Sequence, residues 1–217
     1  VNKLLYVSPT DGGAPIVAPV VAQKTITNIT HQSADVLIDV NPGFAPTTLS
    51  FEYGLDSTFA TSTTATVVPG LVDGGAPTTA SVNLTGLTAS KTYFFRIIGV
   101  NESGRTVSTT GSFTTLPPPV TAPIARISPA TNVTAYSATL NGVAQAGNAA
   151  AKVTFMYGTD PEFKVNTSNV AASPYEISGT NFYNISLNVS FLDGGKTYYF
   201  KVVAINSTGT THSPVLT

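Results

Sequence analysis

The chain has no cysteine and no tryptophan, and only 10% of its 217 residues are charged. Without cysteine there is no disulfide, no thiolate metal site and no cysteine nucleophile. An average soluble domain carries roughly 25% charged residues, so here Thr, Ser and Asn must supply the polar surface. Ten Lys and Arg scattered along the chain, at a net charge of −1, form no dense basic face, and a nucleic-acid partner is not expected. No apolar run approaches the roughly 18 residues that cross a bilayer, so no membrane insertion is expected in this segment. No secretory leader is visible, and the first residue is Val1; we read the sequence as a mature or excised piece.

What is present is a core-forming composition, 42% hydrophobic, and a repeat. Lys91-Thr92-Tyr93-Phe94-Phe95-Arg96-Ile97-Ile98-Gly99-Val100-Asn101 returns as Lys196-Thr197-Tyr198-Tyr199-Phe200-Lys201-Val202-Val203-Ala204-Ile205-Asn206, a shift of 105. Earlier matches run at 104: Phe51-Glu52-Tyr53-Gly54 with Phe155-Met156-Tyr157-Gly158, Asp56 with Asp160, Phe59 with Phe163. One inserted residue over so many matches marks a duplication. Short apolar alternations broken by Gly, Pro, Asn and Asp predict strands at 34–40, 49–53, 81–84, 93–100 and 107–115, repeated at 138–143, 153–157, 186–189, 198–205 and near 211–216. A further N-terminal strand and one weak strand complete about seven per unit, with essentially no helix. The fold class expected is all-β: two tandem Greek-key β-sandwiches joined by a proline-rich linker. The boundaries are 1–17 for an N-terminal arm and linker, 18–116 for the first domain, 117–123 for the linker and 124–217 for the second domain. Leu116-Pro117-Pro118-Pro119 opens a semi-rigid polyproline spacer. Its counterpart at 12–19 implies a longer array.

Within the repeated strand, Tyr93, Phe95, Ile97 and Gly99 alternate with a second face, as do Tyr198, Phe200, Val202 and Ala204. Leu87 and Leu192 each precede the tyrosine by six residues, with turn residues between. That spacing fits a tyrosine corner, in which a buried ring returns its hydroxyl to the backbone upstream. These segments, with "FEYGLD" and "FMYGTD", resemble fibronectin type III domains of the bacterial extracellular kind, over residues 18–217. The resemblance implies an immunoglobulin-like sandwich, an extracellular spacer or adhesion role, and no catalysis. Two departures stand out. No tryptophan occupies the second strand, leaving Val36 and Leu140 or a neighbour to fill that space, and there is no Arg-Gly-Asp.

Chemistry-bearing clusters are scarce. His31 and His212 lack serine and carboxylate partners at recognisable spacing, and no Gly-x-Ser-x-Gly occurs. Asp11, Asp73 and Asp193, each followed by Gly-Gly, read as turns ahead of a cation site, as do Asp56, Asp160 and Glu162. No catalytic residue, metal or cofactor is expected. Eight Asn-x-Ser/Thr sequons exceed the roughly three that chance would give. Asn28, Asn83, Asn132, Asn166, Asn184 and Asn188 are the glycosylation candidates, and Asn101 and Asn206 also sit where the resembled family places a structural asparagine. Phe94, Ile98, Tyr199 and Val203 are expected on an outward strand face and are the candidate partner face, with Glu52 opposite Arg96. Leu4, Leu5, Tyr6 and Val7 are a candidate pairing strand for another copy. Tyr136, Tyr175 and Tyr183 are scattered aromatics for a carbohydrate. The expected partners are other copies of the chain, other surface proteins or glycans. The function read from all this is a non-catalytic structural or adhesive module, extracellular or at the cell surface. The alternative is an accessory spacer or carbohydrate-binding region of a larger secreted carbohydrate-active enzyme.

Overall fold

A computed structural model describes residues 14–217. The described chain divides into two compact units, parted between Pro118 and Pro119. Every regular element among the described residues is a strand.

Unit 1 contains β1 (Val20–Thr27), β2 (Ala34–Asn41), β3 (Thr47–Gly54), β4 (Thr63–Ala65), β5 (Leu71–Val72), β6 (Thr78–Leu84), β7 (Thr92–Asn101), β8 (Gly104–Val107) and β9 (Gly111–Thr114). One sheet runs β1-β2-β6 and the other β4-β3-β7-β8, with β5 on β3 and β9 on β7; every pairing is antiparallel. Alternation explains the closure. Val36, Ile38 and Val40 of β2 face Phe51 of β3 and Phe95 and Ile97 of β7 in one buried cluster, while the intervening positions stay at the surface. Val36 is fully buried in the place considered for tryptophan.

Unit 2 repeats the plan with β10 (Ile124–Thr131), β11 (Ser137–Gln145), β12 (Ala151–Gly158), β13 (Thr167–Ile177), β14 (Phe182–Ser190), β15 (Tyr199–Asn206) and β16 (Gly209–His212). The 11-residue β13 stands where the sequence reading allowed only one weak strand and gave it no bounds. It lacks clean alternation and contains Pro174, both of which argue against a strand from sequence. It fits because it crosses over: its ends pair with β12, and at Ser173 it bridges Ser186 of β14. Unit 1 makes the same passage in pieces, β4, a Val68–Ser81 bridge and β5. A cis X-Pro bond lies at each crossing, Val68-Pro69 and Ser173-Pro174.

The last strand also differs from the expected single run. In unit 1 it breaks into β8 and β9, and the Ile97 N–H is met at the break by the Ser108 hydroxyl at 3.0 Å. Ser213 does the same for Val202 at 2.9 Å in unit 2. Beyond Ser213 only a bridge between Phe200 and Leu216 remains.

Candidate functional site

The most complete polar constellation is repeated, and it grips backbone. Asn101 ends β7 with its side chain buried; its amide donates to the carbonyls of Val17 at 2.8 Å and Pro42 at 2.9 Å, and its oxygen accepts from Ser103 and Gly104 N–H. Asn206 makes the same four bonds, to Thr121 at 2.7 Å and Ala146 at 2.8 Å and from Thr208 and Gly209. The segment arriving before the first strand is thus tied down. Its own N–H completes the tie, Val17 to Gly43 at 3.0 Å and Thr121 to Gly147 at 2.8 Å. Both glycines have positive φ, +73° and +77°, and a Cβ would lie 2.2 and 2.3 Å from the carbonyl oxygens of Val17 and Thr121. In unit 2, Asn148 adds a bond to the Pro119 carbonyl at 3.1 Å.

The two tyrosines act alike at the hydroxyl and differently at the ring. The Tyr93 hydroxyl accepts from Thr88 N–H at 2.9 Å, and that of Tyr198 from Asp193 N–H at 3.0 Å. Tyr93 is buried and stacks on Phe113 with centroids 5.8 Å apart. Tyr198, expected as an interior strand residue, is half-buried and lies one position before β15. Among the described residues no ring stacks on Tyr198 as Phe113 stacks on Tyr93, and the strand pairing beside it reaches Phe200 with Leu216. A cavity of about 460 Å³ opens there instead, lined among others by Leu140, Tyr157, Leu192, Tyr198 and Phe200. A polar groove bearing Asn166, Ser168 and Lys196 adjoins it.

The sequons separate by what their amides already do. Both amide hydrogens of Asn101 and of Asn206 are committed to carbonyls, so neither nitrogen can take a glycan in the folded unit. Asn28 and Asn83 donate to the two oxygens of Asp35 at 2.7 and 2.6 Å, and these bonds, the Asn28 one first, hold the Asp35 carboxyl below the usual range. Unit 2 places Thr139 in the position of Asp35: its hydroxyl donates to the Asn188 oxygen at 2.8 Å and accepts a longer bond, 3.3 Å, from Asn132. Asn166 lies in an exposed turn, and Asn184 and Asn188 project from β14 on an exposed face.

Two of the four residues of the candidate partner face are covered. Ile98 and Val203 are only 5% and 4% exposed, because each sits mid-row between neighbours on both sides, Ser50 and Val107 for Ile98, Thr154 and His212 for Val203. Phe94 and Tyr199 are half-buried. Glu52 accepts from Arg96 at 2.7 Å, and Arg96 also lies over the Phe59 ring at 4.5 Å. In unit 2 Met156 replaces the acid, and Lys201 covers Phe163 at the same 4.5 Å.

Asp56 and Asp160 spend their carboxylates on turns. Asp56 accepts from the hydroxyl and N–H of Thr58; Asp160 accepts from the N–H groups of Glu162, Lys164 and Val165; both carboxyls are lowered by these bonds. His31 lies half-buried in a bend, and His212 ends β16 exposed. Among the described residues no three His, Cys, Asp or Glu side chains gather as metal ligands. Tyr136 is 67% exposed, Tyr175 lies beneath Lys152 on β13, and Tyr183 packs on the core with its hydroxyl on Ser178; they form no shared row. Leu4, Leu5, Tyr6 and Val7 lie outside the described residues.

No family model and no curated protein matches the chain. Solved structures do. The sensor domain of the anti-sigma factor RsgI4 in Pseudobacteroides cellulosolvens matches at 20% identity and a TM-score of 0.37, over 48% of this chain and 99% of its own. A segment of two fibronectin type III domains from chicken tenascin matches at 15% and 0.31, over 89% and 95%. The FN1–FN3 domains of chicken CNTN1 match at 18% and 0.34, over 92% and 65%. At such values these likenesses carry no argument of their own. The fibronectin type III-like sandwich fold of each unit stands on its strand order and its tyrosine corner.

Proposed function

We propose that the chain is a non-catalytic structural module of a secreted or surface-attached protein, a tandem spacer whose units each hold the segment that leads into them. The observation that carries this reading is the duplicated asparagine–glycine clamp. An enzyme concentrates its buried polar groups where a substrate enters; here Asn101 and Asn206 are spent on the incoming main chain. A clamp of this kind stops the lead-in from peeling away, and the prolines at 117–119 limit the freedom that remains. A low charge content and a surface of Thr, Ser and Asn suit a module that presents something else. In a host with N-glycosylation, Asn166, Asn184 and Asn188 are the sites of attachment.

Single-molecule stretching of the whole chain tests the spacer role. Two abrupt unfolding events are expected, with no lengthening at 119–121 before them, and Asn206→Ala should release the lead-in of unit 2 at lower force. Smooth extension with no discrete events would overturn the reading. Protease shaving of intact source cells should release the protein; retention inside the cells would overturn the placement.

A further inference from the structure

Asp-Gly is a repeated dipeptide that the clamp and the tyrosine corners leave unused, and it has a covalent chemistry of its own. The glycine nitrogen can attack the aspartate carboxyl carbon, because glycine puts no side chain in the way. The N–Cγ bond forms, the amide proton leaves with a carboxyl hydroxyl as water, and a succinimide ring closes. Water then opens the ring at either carbonyl. Opening at Cγ restores aspartate. Opening at the main-chain carbonyl leaves isoaspartate, with the backbone now running through the former side chain. Asn-Gly closes the same ring with loss of ammonia, and in a free chain it does so faster.

In a folded chain the rate depends on whether nitrogen and carboxyl carbon are held together or apart. The sequence has one Asn-Gly, Asn141-Gly142, and three Asp-Gly, at Asp11, Asp73 and Asp193. Asn141 is tied down: its amide donates to the Pro129 carbonyl and the Thr131 hydroxyl, both at 3.0 Å. Gly142 is buried within β11, paired with Ile127 and Ile185, and even a Cβ there would lie 2.6 Å from the Arg126 carbonyl oxygen. Asp193 is exposed and its N–H reaches the Tyr198 hydroxyl, but among the described residues no hydrogen bond joins its carboxyl to Gly194. Asp11 lies outside the described residues.

Asp73 is the opposite case. Gly74 N–H donates to Asp73 Oδ1 at 2.7 Å, so the nitrogen rests against the carboxyl group it attacks. Both residues are exposed to water, and Gly74, at φ +98°, has open space where a side chain would stand. The arrangement is held from both sides. Upstream, Val72 of β5 is 7% exposed and pairs with Thr47. Downstream, the Gly74 carbonyl accepts from Phe44 N–H at 3.1 Å, and Gly75 lies so close to the Phe44 ring that a Cβ would fall 2.0 Å from a ring carbon.

We propose that Asp73-Gly74 is a site of spontaneous backbone isomerisation to isoaspartate in the folded chain, ahead of Asp193-Gly194 and Asn141-Gly142. The reaction belongs to unit 1. In unit 2 the Asn148 N–H meets the Gly179 carbonyl as Phe44 meets Gly74, and the residue before it is Ser178, which has no carboxyl to attack. The product inserts one extra main-chain carbon between β5 and Gly74. The Gly74 carbonyl and Gly75 then move off Phe44, and the return of the crossing to β3 loosens. This inference is independent of the spacer reading, since any folded module with this turn reacts in the same way.

The test ages the full 217-residue chain folded and, in parallel, unfolded in urea, and reads isoaspartate by enzymatic methyl transfer with peptide mapping. In the folded chain isoaspartate should build up at 73 at least about tenfold faster than at 193, with Asn141 intact. In urea the rate at 73 should fall to that at 193, and Asn141 should overtake both. Asp73→Glu, whose longer side chain closes a larger ring slowly, should remove the signal while unit 1 stays folded by amide NMR. Aged protein should show displaced amide resonances at Phe44 and Thr47, with those of unit 2 unchanged. A folded-chain rate at 73 no greater than at 193, or one that rises on unfolding, would overturn the proposal. So would a signal that survives Asp73→Glu.

Discussion

The two units share their anchors and differ in their filling. Asn101 and Asn206, Gly43 and Gly147, Asp56 and Asp160, Tyr93 and Tyr198 do the same work in both. By contrast, unit 1 packs a run of five rings, Phe51, Tyr53, Tyr93, Phe95 and Phe113, through its core, and every ring pair among the described residues lies in it. Unit 2 retains Phe155 and Phe200 inside and carries Tyr136 and Phe191 out to the surface. A duplicated fold therefore conserves the contacts that fix backbone geometry. Side chains that only fill volume drift, and the apolar surface they leave exposed becomes available for other uses.

The comparison breaks most sharply at Phe113. Phe113→Ala should cost unit 1 about 3–5 kcal/mol by opening a cavity under Tyr93, and residue-resolved thermal melting by NMR should then show the midpoint of unit 1 falling while that of unit 2 stays in place. Next come the clamps. Asn101→Ala strands two carbonyls and two N–H groups at a buried site and should cost about 3 kcal/mol, against about 1–2 kcal/mol for Asn206→Ala at its half-buried site, measured by urea unfolding. Tyr93→Phe should cost about 1 kcal/mol and Tyr198→Phe less, because water can reach the Asp193 N–H. The smallest effect is in acid. The Asp35 carboxyl is held below its ordinary value by Asn28 and Asn83, so its contribution is present above about pH 4 and lost as pH falls through the lower folded value. Asp56 and Asp160 behave the same way and are common to the two units. Melting temperature against pH from 2 to 6 should therefore show a slightly steeper acid loss in unit 1, and Asp35→Asn should remove that excess.

How much of this was legible in the sequence follows from what each contact requires. The repeat, the β7 and β15 strands and the tyrosine corners are local patterns, and local patterns survive in one dimension. β13 was not legible, because its two ends pair with β12 in different registers and a residue between them bridges β14. Ile98 and Val203 were misread as surface because alternation says which face a residue takes, and only the flanking strands say whether that face is covered. The shared partner of Asn28 and Asn83 was not legible for the same reason. Their true neighbour, Asp35, is seven and 48 residues away.

The clamp also redraws the edges of the heritable piece. Because Pro119 and Thr121 are bonded to Asn148, Gly147 and Asn206, a segment cut at the first strand leaves behind what those groups were made to hold. Recombination that copies such a cassette intact must carry its preamble along, prolines included. Lengthening an array by duplication then reproduces the joint together with the body.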